Sequence, residues 1–258
     1  MVESKQQWKA WLYLSPAIVL LLVFTVWPII NTVRMAFLED YSGLEAIGGK
    51  VFQFGIGNFT KVIKYKRFLM CLKNTVLICV PTVLISSFLA LLIAVCLNSI
   101  KPLQRVLQTI FFLPYVTNSI AIGMVFAAMF NIVGNLGTKG NDIIVTAGII
   151  NNIIEFFGGN AVNWINAGST YAANMTVMII YIVWNALPFK ILILLGGLQS
   201  INKQYYDAAR VDGTPRTRIF TRITVPLLSP MIAYVVITGF IGGFKEYTSI
   251  VGIFGDTM

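Results

Sequence analysis

Five uncharged runs decide what this chain can fold into: Ala10–Val33, Asn74–Ile100, Val106–Thr138, Phe156–Phe189 and Ile223–Phe244. At about 1.5 Å of rise per helical residue, each is long enough to cross the ~30 Å hydrocarbon layer of a bilayer. The chain therefore reads as an all-α, polytopic transmembrane bundle with five spans. Composition agrees, with 11% charged residues and a mean hydropathy of +0.79, whereas a soluble domain carries roughly 25% charged residues. The first run follows Lys5 and Lys9 as a signal peptide would, but a cleavable apolar core spans only about 7–15 residues, so this run reads as a retained helix.

The net charge of +9 is a statement about topology and not about nucleic acid. Lys and Arg collect in loops on the cytoplasmic side. Lys5 and Lys9, then Lys101 and Arg105, then Lys203, Arg210, Arg216, Arg218 and Arg222 all fall on one side if the amino terminus is cytoplasmic. Lys61, Lys64, Lys66, Arg67 and Lys73 break this pattern; their spacing suits a short amphipathic helix resting on lipid headgroups. Cys71, Cys79 and Cys96 fit neither a metal site nor a disulfide framework and read as reduced packing residues. The sequence has no His, which removes the commonest metal ligand and general base together. No catalytic or metal site is expected.

The runs predict helices over about 10–37, 74–98, 106–131, 169–198 and 223–247 in one transmembrane domain spanning 1–258, with a cytoplasmic loop at about 199–222. The connection from Gly134 to Gly168 contains DIIVTAGIINNIIEFFGG, which predicts a re-entrant or surface-lying helix that does not span. No internal repeat is visible, so an inverted-repeat carrier gains no support. Pro81, Pro114, Pro188, Pro226 and Pro230 fall in or beside the spans. They are either ordinary membrane-helix prolines or bends in a moving bundle.

The loop SINKQYYDAARVDGTPRTRIF carries signals for two short helices. Asn202 can cap the first, Gly213 can end it in a left-handed conformation, Thr214 can cap the second and Pro215 suits its first position. Asp207 and Arg210 are spaced to pair on one face. A helix this short is marginal alone and needs a surface to dock on. Ala208 and Ala209 leave a bare patch for a close approach, and Tyr205 and Tyr206 offer broad contact area. The spacing leaves two readings open: a docking helix, or an amphipathic connector held by anionic headgroups.

DAARVDGTPRTRIFTRITVPLLSP resembles the Glu-Ala-Ala loop of integral-membrane subunits in bacterial ATP-binding cassette importers, most closely the maltose and glycerol-phosphate type of carbohydrate permease. Asp207, Ala208, Ala209, Asp212, Gly213, Phe220, Ile223, Pro226 and Pro230 occupy the pattern, and YLSPAIVLLLVFTVWPIINTVRMAF and WNALPFKILILLGGLQSINKQYYDAA extend the likeness over most of the chain. The first acid is Asp207 where the family usually has Glu. The family also has a sixth span, for which SIVGIFGDTM reads as the preceding outer loop. The resemblance implies a non-catalytic subunit in a bacterial plasma membrane, importing a sugar or oligosaccharide. It would work with a second related permease, two ATP-binding subunits that hold ATP and Mg, and an extracellular solute-binding protein. Tyr205, Tyr206, Asp207, Ala208, Ala209, Arg210, Asp212 and Gly213 would couple it to the ATPases. No phosphate loop of the form G-x-x-x-x-G-K-[ST] occurs in this chain.

For a substrate path, Asn118, Trp184, Asn185, Phe240, Glu246 and Tyr247 have the amide, carboxylate and aromatic chemistry that sugars take; Asn and aromatics also recur at ordinary helix contacts. Lys190 lies about two turns from the inner end of its helix, so its stem can snorkel to the interface; otherwise it is a functional group within the span. Lys245 and Glu246 suit an interfacial pair. Two other functions compete. A stand-alone secondary carrier would follow an ion gradient, but the spans contain few acids. A head-group transferase, suggested by AARVDG, would need more metal-ligating Asp residues near Asp212, and the next acid is Glu246.

Overall fold

A computed structural model describes residues 7–100, 104–139 and 142–255. The chain divides into two compact units, one ending at Lys73 and the other beginning at Asn74. Four helical stretches among the described residues are long and apolar enough to cross a membrane: Trp8–Ala36, Lys66–Ser99, Tyr171–Ser200 and Arg216–Phe244.

In the first unit, α1 (Gln7–Leu21), a π-turn (Leu22–Val26) and α2 (Trp27–Ala36) run end to end. The π-turn has a local cause. Pro28 lacks an N–H and its ring crowds the carbonyl four residues back, which belongs to Phe24 inside the π-turn. Widening that turn relieves the clash. Beyond it, α3 (Gly43–Ile47) and α4 (Gly57–Lys64) complete a small cap. Phe37 stacks on Phe54 at 5.5 Å and meets Phe59 at 5.2 Å, and the Gly57 N–H donates to Glu39 Oε1 at 3.0 Å. Part of the basic cluster is thus on a short helix, as expected, with Lys61 paired to Asp40.

The second unit is built around α9 (Tyr171–Ser200). Its Val177, Met178, Tyr181 and Ile182 join Phe130 and Ile253 in one apolar cluster, and its Ile191, Leu194, Leu195 and Leu198 join Ala90, Ala94, Leu97, Leu228 and Val235 in another. Helix α5 (Lys66–Ser99) contributes one buried stripe, Cys79, Val83, Ser86, Ala90, Ala94 and Leu97, at the three-and-four spacing of a single helix face. Cys79 is buried, Cys71 and Cys96 are exposed, and none of the three forms a disulfide.

The third run does not form one helix. It is divided into α6 (Gln104–Val116) and α7 (Ser119–Phe130), with Asn118 recapping the chain by accepting from the Ile120 N–H at 2.9 Å. The outer connection also differs from expectation. Strands β1 (Ile132–Lys139) and β2 (Asp142–Ala147) pair antiparallel, Ile132 with Ala147 and Lys139 with Asp142, and only α8 (Ile149–Phe156) is helical. The β-branched residues Ile143, Ile144, Val145 and Thr146 favour the pleated form over the helix expected there. The buried Asn151 fixes the return path. Its Nδ2 donates to the Val162 carbonyl at 3.0 Å, and its Oδ1 accepts from the Val162 N–H and from Trp164 Nε1, each at 3.1 Å.

After α9 come α10 (Lys203–Val211), α11 (Arg216–Ile219), a second π-turn (Phe220–Thr224), α12 (Val225–Phe244) and α13 (Thr248–Phe254). Pro226 repeats the relation seen at Pro28, since the carbonyl four residues back belongs to Arg222 within the π-turn. The stretch read as the start of an outer loop forms α13, which packs on α7 where Gly123 meets Gly252.

Candidate functional site

The exposed polar corner between α9 and α12 is built from strictly local signals. Asn202 Oδ1 accepts from the Gln204 N–H at 3.0 Å and starts α10. Gly213 ends it with φ of +65°, a conformation that only glycine adopts without steric cost. The closing bonds run from the Gly213 N–H to the Arg210 carbonyl and from the Thr214 N–H to the Ala209 carbonyl, each 3.0 Å. The second helix begins one residue later than the sequence suggests, with Pro215 at the cap and no side-chain bond from Thr214.

Helix α10 stands between two hollows. One, of about 570 Å³, is lined by Tyr205, Ala208, Asp212, Arg218 and Arg222. The other, of about 1540 Å³, is lined by Tyr206, Asp207, Arg210, Arg216 and the ends of α5 and α9 at Ser99 and Gln199. Tyr205, Asp207, Ala208, Arg210, Asp212 and Gly213 are exposed. Tyr206 is half-buried, its hydroxyl 3.2 Å from Thr224 Oγ1 at the head of α12. Asp207 and Arg210 pair at 3.6 Å on the open face. The two alanines part company, because Ala208 is exposed and Ala209 is buried within the chain. The patch open to a close approach is therefore Ala208 alone, with Tyr205 one turn before it.

The six residues read as a substrate path do not form one cluster. Asn118 is exposed at the head of α7, next to Ser119, whose carbonyl accepts from the Tyr181 hydroxyl at 2.9 Å. Phe126 packs against both Tyr181 and Trp184, at 5.0 and 5.1 Å, so Ser119 and Trp184 are linked through Tyr181 and Phe126. Glu246 is half-buried and accepts from the Ser249 N–H at 3.3 Å, capping α13 where the sequence suggested a pair with Lys245. Phe240 lies elsewhere, its carbonyl 3.8 Å from Cys79 Sγ. Asn185 is half-buried and Tyr247 exposed. Tyr181, fully buried, was not singled out by the sequence, where it is one aromatic among many in an apolar run.

Lys190 does not snorkel. It is 4% exposed, and its ammonium points across the bundle to α5 rather than along its helix to the interface. No cluster of three or more metal-ligating His, Cys, Asp or Glu side chains occurs among the described residues.

Residues 74–258 match the family described as binding-protein-dependent transport system inner membrane component. The chain is 31% identical over 93% of its length to the lactose transport system permease protein LacF of Rhizobium radiobacter, covering 74% of that protein. It is 29% identical over 92% of its length to the arabinooligosaccharides transport system permease protein AraP of Bacillus subtilis, covering 69%. In fold it is similar to a chain in the crystal structure of a bacterial ATP-binding cassette transporter involved in importing the acidic polysaccharide alginate, with a TM-score of 0.76 and 22% identity over 98% of this chain and 79% of that one.

Proposed function

The chain belongs to the family of binding-protein-dependent transport inner membrane components, and from that premise we propose that it is a permease subunit importing a sugar or oligosaccharide at the expense of ATP. Its sugar-transporting relatives support the carbohydrate assignment. The observation that carries the coupling is α10, a polar helix with hollows on both sides and Ala208 and Tyr205 exposed along it. A helix of nine residues gains little from its own backbone, and here a separate ATPase subunit would grip it. Closure of two ATPases around ATP and Mg would drag α10 and, through it, tilt α9 and α12. ATP chemistry would reside in those partners, while this chain, a second permease and an extracellular binding protein would pass the solute through a bacterial plasma membrane. The loop bearing Lys203, Arg210, Arg216, Arg218 and Arg222 would face the cytoplasm with the amino terminus. Asn118, Trp184, Asn185, Phe240, Glu246 and Tyr247 would remain the candidates for the solute path.

The test is crosslinking from position 208 in native membranes. A photoreactive side chain there should capture an ATP-binding polypeptide. Capture of lipid alone would sink the reading.

A further inference from the structure

An ammonium group inside a membrane span is costly, and its three N–H donors each need an acceptor. Lys190 of α9 satisfies all three on a single turn of α5: Ser86 Oγ at 2.7 Å, Ser87 Oγ at 3.0 Å and the Val83 carbonyl at 3.4 Å. Ser86 extends the chain of bonds by donating to the Thr82 carbonyl at 2.5 Å. The ion pairs found among the described residues lie elsewhere, so this lysine is held by neutral oxygens. Helix α12 passes the same point as bare backbone. A Cβ on Gly239 would lie 3.0 Å from Lys190 Nζ and 3.2 Å from Val83 Cγ1, and one on Gly243 would lie 2.5 Å from Cys79 Sγ. Lys190 is therefore bonded to α5, while α12 meets its ammonium with backbone alone at Gly239.

On the importer reading above, we propose that Lys190 is a positioning residue of the transport cycle: it ties α5 to α9 so that they move as one body. A pull on α10 reaches α9 and α12 through the chain itself. It reaches α5 only through contacts, and rupture of this contact would strand three donors in an apolar medium. Packed helices move as rigid bodies when their interface has no partly broken state. Lys190 supplies such an interface between α5 and α9, and the missing Cβ of Gly239 leaves room for its ammonium there.

The test uses the complete importer in proteoliposomes, with solute uptake and ATP hydrolysis read in the same vesicles. Lys190→Met keeps the stem and removes the donors. It should leave subunit co-purification and hydrolysis within twofold of wild type while the ATP consumed per solute rises tenfold or more. Lys190→Arg, which retains charge and donors, should keep that ratio within threefold. If Lys190→Met fails to assemble, Lys190→Met combined with Ser86→Ala and Ser87→Ala gives an apolar seam with no stranded hydroxyl; it should assemble and stay uncoupled, and restored coupling would overturn the tie. An unchanged ratio in Lys190→Met, or equal losses of uptake and hydrolysis, would also overturn it. Wild-type vesicles with no ATP-driven uptake would remove the importer reading and the tie with it, an outcome distinct from the mutant results.

Discussion

Gly123 of α7 and Gly252 of α13 meet backbone to backbone: a Cβ on Gly123 would lie 2.8 Å from the Gly252 Cα. Close approach between small residues is a main source of helix adhesion in membranes, where lipid is as apolar as the helices. Gly123→Leu must push α13 away, at a cost of about 1–3 kcal/mol. The purified protein should lose several degrees of thermal stability, while Leu at the exposed Gly196, where a Cβ meets nothing within 4 Å, should change little.

Asn151 closes the outer return loop with three hydrogen bonds. Asn151→Leu is close in size but strands the Trp164 N–H and both backbone groups of Val162, at about 1–3 kcal/mol for each stranded group. Hydrogen exchange at the Val162 amide should accelerate at least tenfold, with exchange in the core of α9 unchanged.

Gly213 holds φ of +65° at the end of α10. A β-branched residue in that region costs about 1–2 kcal/mol, so Gly213→Val should displace the corner. The expected result is at least a fivefold loss of co-purifying ATPase. Gly213→Asn, which tolerates the left-handed region, should retain most of it.

Lys61 beside Asp40, by hydrogen bond and charge, holds that carboxyl below its ordinary value of 3.8. A depressed carboxylate contributes stability above its unfolded value and loses it as pH falls through the folded one. The melting-temperature difference between wild type and Asp40→Asn should be small and constant from neutral pH to about pH 5, then shrink to nothing on acidification below 3.8. Because the pair is exposed, salt should shrink it too.

The sequence made some of this legible and hid the rest for physical reasons. The corner at Asn202 and Gly213 was readable because a cap and a left-handed stop depend on residues a few positions apart. The spans were readable because lipid imposes a length and a polarity. The break at Asn118 was not, since the same residues fit an unbroken helix, and the choice is made by the packing of α7 on α13. DIIVTAGIINNIIEFF satisfies strand and helix patterns alike, and long-range pairing with Ile132 decides between them. Lys190 was visible as an anomaly, but which face of α9 meets α5 is a tertiary fact, and that face decides between an interfacial lysine and a buried one. Ala209 beside Ala208 shows the same limit, because neighbours in sequence point in different directions on a helix.

The two π-turns each accommodate a proline by holding one extra residue per turn. One residue corresponds to about 100° of helical phase. The turn at Phe220–Thr224 therefore sets the azimuth at which Arg216 and Arg218 leave the shaft of α12. Because Pro226 holds that widened turn in place, the arginine-bearing end keeps one fixed azimuth relative to the glycine face below.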